Sequence, residues 1–218
     1  MTGNPRPTRV RQLITLGSSS TAGSGASRTD ARYPNVVARA FDATLHNLGS
    51  AGQTVEQVMD TFLPRALALL RGPPPDGVDV VTLLPFTDVA HKSPQQLCTA
   101  FAPVLAALAT THAWVVFGVP TVDEAYQCGN GPLRGPGGGC YPATLVAAYA
   151  HKAAALRALV GGYANASVAE IPQIHVQRPD TLAPDGHPND AGHMFLAQCF
   201  IHALAARLGQ DAPGSGWR

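Results

Sequence analysis

The chain has 218 residues, of which 45% are hydrophobic and 13% charged, and its formal net charge is +1. A nearly neutral chain lacks the basic surface that binds nucleic acid or an anionic membrane, so we expect neither as a partner. We also expect no membrane span, because no apolar run reaches about 18 residues. This length predicts a single domain over residues 1–218 with a substantial core, and loose tails at residues 1–9 and 210–218.

Hydrophobic periodicity predicts strands and helices that alternate along the chain. The strands are expected at residues 10–16, 45–48, 78–84, 113–119 and 168–176. The helices are expected at residues 33–44, 54–70, 94–110, 143–160 and 189–208. This alternation is typical of an α/β protein. We therefore predict a three-layer α/β/α sandwich with a central, mostly parallel five-stranded sheet.

The end of the first strand carries a run of small residues, Leu16-Gly17-Ser18-Ser19-Ser20-Thr21-Ala22-Gly23. Small residues let the backbone turn sharply and expose N–H groups at the start of a helix. They also place serine hydroxyls at the carboxyl end of a strand, where open α/β sheets bind ligands. A plain turn is the alternative interpretation. The loop at His187-Pro188-Asn189, which supplies a candidate base, favours a serine nucleophile instead.

Several features bear on cofactors, metals and the cellular compartment. The glycine-rich run has no Gly-Lys-Ser/Thr ending and no Cys-x-x-Cys or His-x-x-x-His spacing occurs, so we predict neither a cofactor nor a metal. Cys128 and Cys140 flank a glycine-rich loop that a disulfide could close, whereas Cys98 and Cys199 lie in predicted helices as buried thiols. Residues 1–11 lack the apolar run of a signal peptide. The compartment stays open, with a secreted protein whose leader has been removed favoured over a cytoplasmic one.

Two short blocks near the amino terminus match a known family. Residues 17–23 correspond to the pattern Gly-Asp-Ser-x-Thr-x-Gly, with Ser18 in the place of the usual Asp, and residues 47–52 correspond to Asn-x-Gly-x-x-Gly. With the histidine block, they make the chain resemble the SGNH (GDSL-type) serine esterase and lipase superfamily from residue 16 to about residue 193. The resemblance implies the flavodoxin-like SGNH hydrolase fold. It places the nucleophile at Ser19 and oxyanion-binding N–H groups at Ser19 and Gly52.

Two other blocks depart from the family pattern. Residues 85–88 carry Thr87 where the family has an asparagine whose side-chain amide binds the oxyanion. A hydroxyl is shorter and has fewer donors, so Thr87 either reaches the oxyanion, acts through water, or leaves a weaker enzyme. The family aspartate precedes the histidine by three residues, whereas Asp185 precedes His187 by two. Asp185 can orient His187 only in a locally extended or bulged loop; otherwise Asp180 or a backbone carbonyl would do so.

The resemblance implies acyl transfer to serine. His187 would take the proton of Ser19 as its hydroxyl attacks an ester carbonyl, and the expected substrate is a small-molecule or glycan ester. Tyr126, Phe86 and Leu133 are candidates to line the substrate pocket, although ordinary packing would explain each of them. Three alternatives stay open: a carbohydrate O-deacetylase, an acyltransferase with the same site, or a catalytically impaired binding module on the same fold.

Overall fold

A computed structural model describes residues 9–74, 76–122, 142–172 and 179–212. Within them, five strands form one sheet in which every pair of neighbours is parallel, with the order β2-β1-β3-β4-β5. The strands are Val10–Gly17 (β1), Thr44–Asn47 (β2), Val78–Leu84 (β3), Trp114–Thr121 (β4) and Ala166–Pro172 (β5).

Eight α-helices follow these strands in the described ranges. They are Ser19–Ala22 (α1), Tyr33–Ala40 (α2), Val55–Gln57 (α3), Leu63–Leu69 (α4), Phe86–His91 (α5), Pro94–Ala109 (α6), Ala143–Gly161 (α7) and Asp190–Leu208 (α8). A π-helical segment, Val58–Phe62, joins α3 to α4. Single 3-10 turns lie at Thr29–Ala31 and Pro179–Thr181. None of these helices is long and apolar enough to cross a bilayer within the described part of the chain.

Helices cover both faces of the sheet. Successive residues of a strand point to opposite faces, so Leu13 packs towards α2 and α8, whereas Ile14 packs towards α4, α6 and α7. Strand β3 is buried along its whole length, as expected for a central strand with helices on both sides. The predicted three-layer α/β/α sandwich is confirmed, and the sheet is parallel throughout.

Some predicted boundaries differ from those of the structure. The helix expected at residues 33–44 ends at Ala40, because Asp42 adopts a left-handed conformation (φ 50°) that turns the chain into β2. Residues 86–88, expected in a loop, form the first turn of α5. Strand β5 starts two residues earlier than expected, and residues 173–176 of the predicted strand lie outside the described residues. Residues 1–8 and 213–218 of the predicted tails also lie outside the described residues.

The order of the strands sets where a ligand can bind. The chain passes from β1 to β2 on one side and then to β3 on the other side of β1. This reversal leaves a crevice at the carboxyl ends of the strands, where open α/β sheets bind ligands. Because all three strands are parallel, the loops that follow them lie at the same edge of the sheet.

Candidate active site

The loop after β1 presents one of its three serines to solvent. Ser19 is the first residue of α1 and is half-buried, whereas Ser18 and Ser20 are only 4% and 5% exposed. Because Ser19 is the first residue of α1, its N–H has no hydrogen-bond acceptor within the helix. The accessible serine at this edge is thus the predicted nucleophile.

The loop after β2 contains the second predicted group, Gly52. It lies in a tight turn closed by a hydrogen bond from the Gln53 N–H to the Ser50 carbonyl (3.1 Å). The Gly52 N–H has no hydrogen-bond partner among the described residues, so it is available to a ligand. The Ser50 N–H bonds the Gly17 carbonyl (3.1 Å), which attaches this turn directly to the end of β1.

Thr87, the third predicted group, is half-buried in the first turn of α5, directly after β3. Its neighbour Asp88 is 4% exposed and accepts a hydrogen bond from the Val55 N–H (3.2 Å) at the start of α3. Burial raises the pKa of Asp88, although Lys92 lies 3.7 Å away and lowers it. This contact joins the loop after β3 to the helix that follows the Gly52 turn. The loops after β1, β2 and β3 therefore form one connected edge.

Asn47 and Gln53 brace this edge, and sequence reasoning assigned neither of them a role. The Asn47 amide donates to the Thr21 carbonyl (2.8 Å) and accepts from Thr15 Oγ1 and the Gly49 N–H (2.9 Å each). Gln53 Oε1 accepts from the Gly17 N–H (3.2 Å). The signal for Asn47 was its place as the first residue of the second family block; the sequence held no comparable signal for Gln53.

His187 lies in a compact loop that brings Asp185 onto its ring. Asp185 Oδ2 is 3.0 Å from His187 Nδ1, and Oδ1 accepts the His187 backbone N–H at 3.1 Å. These two contacts lower the pKa of Asp185. Gly186 adopts φ 82°, which permits the turn between the two residues. The i, i+2 spacing thus works through a tight turn, and Asp185 is the carboxylate that contacts the imidazole.

The contact with Asp185 determines what the ring can do chemically. A carboxylate can only accept, so Nδ1 carries the proton in this pair. The Nε2 lone pair is then free to take a proton from a hydroxyl. His187 is 34% exposed, so the ring is accessible to a ligand.

The loop that carries His187 packs against the segment that follows α1. A methyl group at Gly25 would lie 2.3 Å from the Pro188 carbonyl oxygen and 3.0 Å from His187 Cβ. Asp190 accepts two hydrogen bonds from Ser27, one from its N–H (2.7 Å) and one from Oγ (2.5 Å). Residues 24–27 therefore connect the serine end of the site to the histidine end.

Other predicted residues lie elsewhere or outside the described ranges. Phe86 packs against the apolar cluster beneath α2 and α8. Among the described residues, Cys98 and Cys199 form no disulfide and are half-buried thiols in α6 and α8, and burial raises the pKa of Cys199 to about 12. Within the described ranges, no group of three or more His, Cys, Asp or Glu side chains could hold a metal ion. The candidates outside the described residues are Tyr126, Leu133, Cys128 and Cys140.

Comparison with known proteins adds a family match. The model of the GDSL-like lipase/acylhydrolase family matches residues 15–195. No sequence match was found among curated proteins.

Several solved structures share the fold at low sequence identity. A lipolytic protein of the G-D-S-L family from Veillonella parvula is 14% identical, with a TM-score of 0.64 over 90% of this chain and 99% of that one. LAE5, an alpha/beta hydrolase from the metagenome of Lake Arreo, is 17% identical, with a TM-score of 0.65 over 94% and 98%. Axe2, an acetylxylan esterase from Geobacillus stearothermophilus, is 15% identical, with a TM-score of 0.63 over 96% and 99%.

Proposed function

The chain belongs to the GDSL-like lipase/acylhydrolase family, and on that basis we propose that it is a serine hydrolase that cleaves carboxylic esters through an acyl-Ser19 intermediate. The observation that carries this proposal is the contact of 3.0 Å between Asp185 and the ring of His187, in a loop packed against the segment that follows Ser19. A base held in one orientation, in a loop that packs against the segment after an accessible serine, supports activation of the serine hydroxyl.

The reaction proceeds in two steps. His187 Nε2 takes the Ser19 proton as Oγ forms a bond to the ester carbonyl carbon, and the imidazolium then protonates the departing alcohol as its C–O bond breaks. In the second step, His187 takes a proton from water as the water attacks the acyl carbon. The bond to Ser19 Oγ breaks, the serine regains its proton, and the carboxylic acid leaves.

The N–H groups of Ser19 and Gly52 and the Thr87 hydroxyl donate hydrogen bonds to the carbonyl oxygen as negative charge develops on it. One donor of this kind is worth about 3 kcal/mol of transition-state stabilisation. Because the Thr87 hydroxyl is shorter than an asparagine amide and has a single donor, this site supports catalysis at a lower rate than one with a side-chain amide would allow.

Turnover of p-nitrophenyl acetate tests the proposal. Ser19→Ala and His187→Ala should each lower kcat by at least about 100-fold, because each removes a participant in proton transfer. Ser20→Ala, a change of the adjacent buried serine, is the matched control and should keep wild-type kcat. Loss of activity in Ser20→Ala but not in Ser19→Ala would move the nucleophile by one residue. No turnover by the folded wild type would favour a binding module on the same fold.

A carbohydrate O-deacetylase is the second candidate, and one observation favours it. A groove of about 390 Å³ is lined by Glu56 of α3, the helix that follows the Gly52 turn, and by Lys92, Gln95, Gln96, Thr99 and Ala100. Amide, hydroxyl and charged side chains suit a hydroxyl-rich ligand better than an acyl chain. Faster release of acetate from an acetylated oligosaccharide than from a simple alkyl acetate would support this substrate class.

A further inference from the structure

We propose that His193 is a positioning residue of this site, holding the loop that carries His187 in register with Ser19. The proposal rests on the proposed function, since it assigns a residue that acts through that site. His193 lies in the first turn of α8, six residues after His187, and is fully buried. Its hydrogen-bond partners are the backbone groups of Ser24 and Tyr33.

A short chain of hydrogen bonds joins His193 to Ser19. His193 Nε2 lies 3.0 Å from the Ser24 carbonyl oxygen. The N–H of the same residue, Ser24, donates to the Ser19 carbonyl (2.9 Å). Ser24 is therefore hydrogen-bonded both to the predicted nucleophile and to His193 of α8, the helix that directly follows the His187 loop.

Tyr33 provides a second route between the same two elements. Its backbone N–H donates to His193 Nδ1 (3.3 Å), and its hydroxyl pairs with Thr21 Oγ1 of α1 (2.9 Å). Tyr33 and Thr21 are both fully buried. The Tyr33 ring also stacks against Phe200 of α8, with 5.3 Å between centroids. Helix α1 and the first turn of α8 are thus connected through two paths that meet at His193, and the path through Tyr33 and Thr21 is buried.

The two partners of His193 fix its protonation state. A carbonyl oxygen only accepts, so Nε2 must carry a proton, and a backbone N–H only donates, so Nδ1 must not. The neutral Nε2–H tautomer satisfies both. In the imidazolium, the Nδ1–H donor would face the Tyr33 N–H donor, and that hydrogen bond would be lost. Burial lowers the pKa of His193. Among the charged groups around it, Asp190 favours the imidazolium, and Arg32 and His187 oppose it.

This arrangement explains why a polar residue occupies a buried position. Phenylalanine would fill the same space against Tyr33, but it would leave the Ser24 carbonyl and the Tyr33 N–H without partners. Such groups recover hydrogen bonds by moving. Ser24 is hydrogen-bonded to Ser19, and the helix that carries residue 193 directly follows the His187 loop, so such a movement would shift the two reacting side chains relative to each other. A displacement of about 1 Å between reacting groups is enough to lower a rate about 100-fold.

Three substitutions of His193 test the proposal. His193→Gln keeps a donor for the Ser24 carbonyl, His193→Asn keeps an acceptor for the Tyr33 N–H, and His193→Phe keeps neither. With p-nitrophenyl acetate, we expect kcat to fall about 10- to 100-fold in His193→Phe while KM changes less than about twofold. His193→Gln should recover most of the lost kcat, and His193→Asn should recover less, because only the Ser24 contact leads to Ser19. His202→Gln, at an exposed histidine of the same helix, is the control.

Amide hydrogen exchange gives a readout that does not depend on turnover. In His193→Phe, exchange should rise in residues 24–27 and 185–189 and stay unchanged in α6 and α7. Wild-type kcat in a folded His193→Phe would overturn the proposal, as would equal losses in the Gln and Phe variants. If wild type hydrolyses no ester, the proposed function fails separately; unchanged exchange in both segments would then overturn the positioning role on its own.

Discussion

Asp185 is 62% exposed to solvent although it contacts the ring of His187. An exposed carboxylate exchanges its partner readily with water, so its interaction with the imidazole is weak compared with that of a buried carboxylate. Contacts with His187 lower the pKa of Asp185, so its carboxylate is ionised at neutral pH, as an ordinary aspartate is, and accepts a hydrogen bond from Nδ1–H. Orientation of the ring, more than charge stabilisation, is the role that this geometry supports.

Asp185→Asn should therefore lower kcat by only about 3- to 10-fold, because water can replace the carboxylate at Nδ1. Steady-state kinetics with p-nitrophenyl acetate would measure the effect. Asp180→Asn, at the other carboxylate near the loop, is the matched comparison and should change kcat less. A larger loss in Asp180→Asn would show that Asp185 is not the residue that orients the base.

Thr87→Asn should raise kcat by up to about 100-fold, since an asparagine amide replaces the short Thr87 hydroxyl with a longer group that has two N–H donors for the oxyanion. Thr87→Val, which removes the hydroxyl while keeping the shape of the side chain, should lower kcat. Both variants keep the Asp88 contact with the Val55 N–H, so the loop itself should stay in place. An unchanged or lower kcat in Thr87→Asn would mean that the oxyanion does not bind beside residue 87.

At the level of elements, the close approach of helix α1 to the loop after β2 depends on Gly49. A Cβ at this position would lie 2.5 Å from the Ala22 N and 2.6 Å from the Thr21 carbonyl carbon, both backbone atoms that cannot rotate away. The two elements could then no longer pack together without a shift of the backbone. The shift would move the turn that contains Gly52 relative to Ser19.

Gly49→Ala should lower the free energy of unfolding by about 2 kcal/mol through this overpacking, and it should lower kcat as well. Urea unfolding followed by circular dichroism would measure the stability. Gly161→Ala at the end of α7 is the control, because a Cβ there meets no atom within 4 Å. If the two variants unfolded at the same urea concentration, α1 and the loop after β2 would not be in such close contact.

Local sequence patterns predicted the elements well but their contacts poorly. Apolar runs such as residues 78–84 predicted the strands, and Pro94 marked the start of α6, because these signals act within one element. The two-residue spacing of Asp185 and His187 predicted a contact between them only if the loop had a suitable local conformation, and the tight turn at Gly186 provides it. The contact between His193 and Ser24 spans 169 positions of the chain, so no local pattern could predict it.

Across the whole molecule, acid should reduce stability in two separate pH ranges. The folded pKa of His193 is lowered below the ordinary 6.5, so the unfolded chain binds a proton first. The contribution of neutral His193 to the free energy of unfolding is present above about pH 6.5 and is lost as the pH falls through the pKa that His193 has in the folded protein. At the opposite edge of the sheet, burial would raise the pKa of Asp79, but Arg11 and His112 hold it below 3.8. That contribution is lost only below about pH 4.

Urea unfolding between pH 8 and pH 3 should therefore show two declines in the free energy of unfolding. His193→Gln should remove the upper decline and leave the lower one, whereas Asp79→Asn should do the reverse. His202→Gln, at an exposed histidine, should change neither range. An upper decline of wild-type size in His193→Gln would contradict a neutral, buried imidazole at this position.

The most direct test of the account is to locate the nucleophile chemically. A fluorophosphonate should label the folded wild-type protein, and peptide mass spectrometry should find the adduct on Ser19. The adduct should be absent from Ser19→Ala and present in Ser20→Ala. An adduct on Ser18 or Ser20, or no adduct on the folded protein, would contradict the proposed serine esterase mechanism.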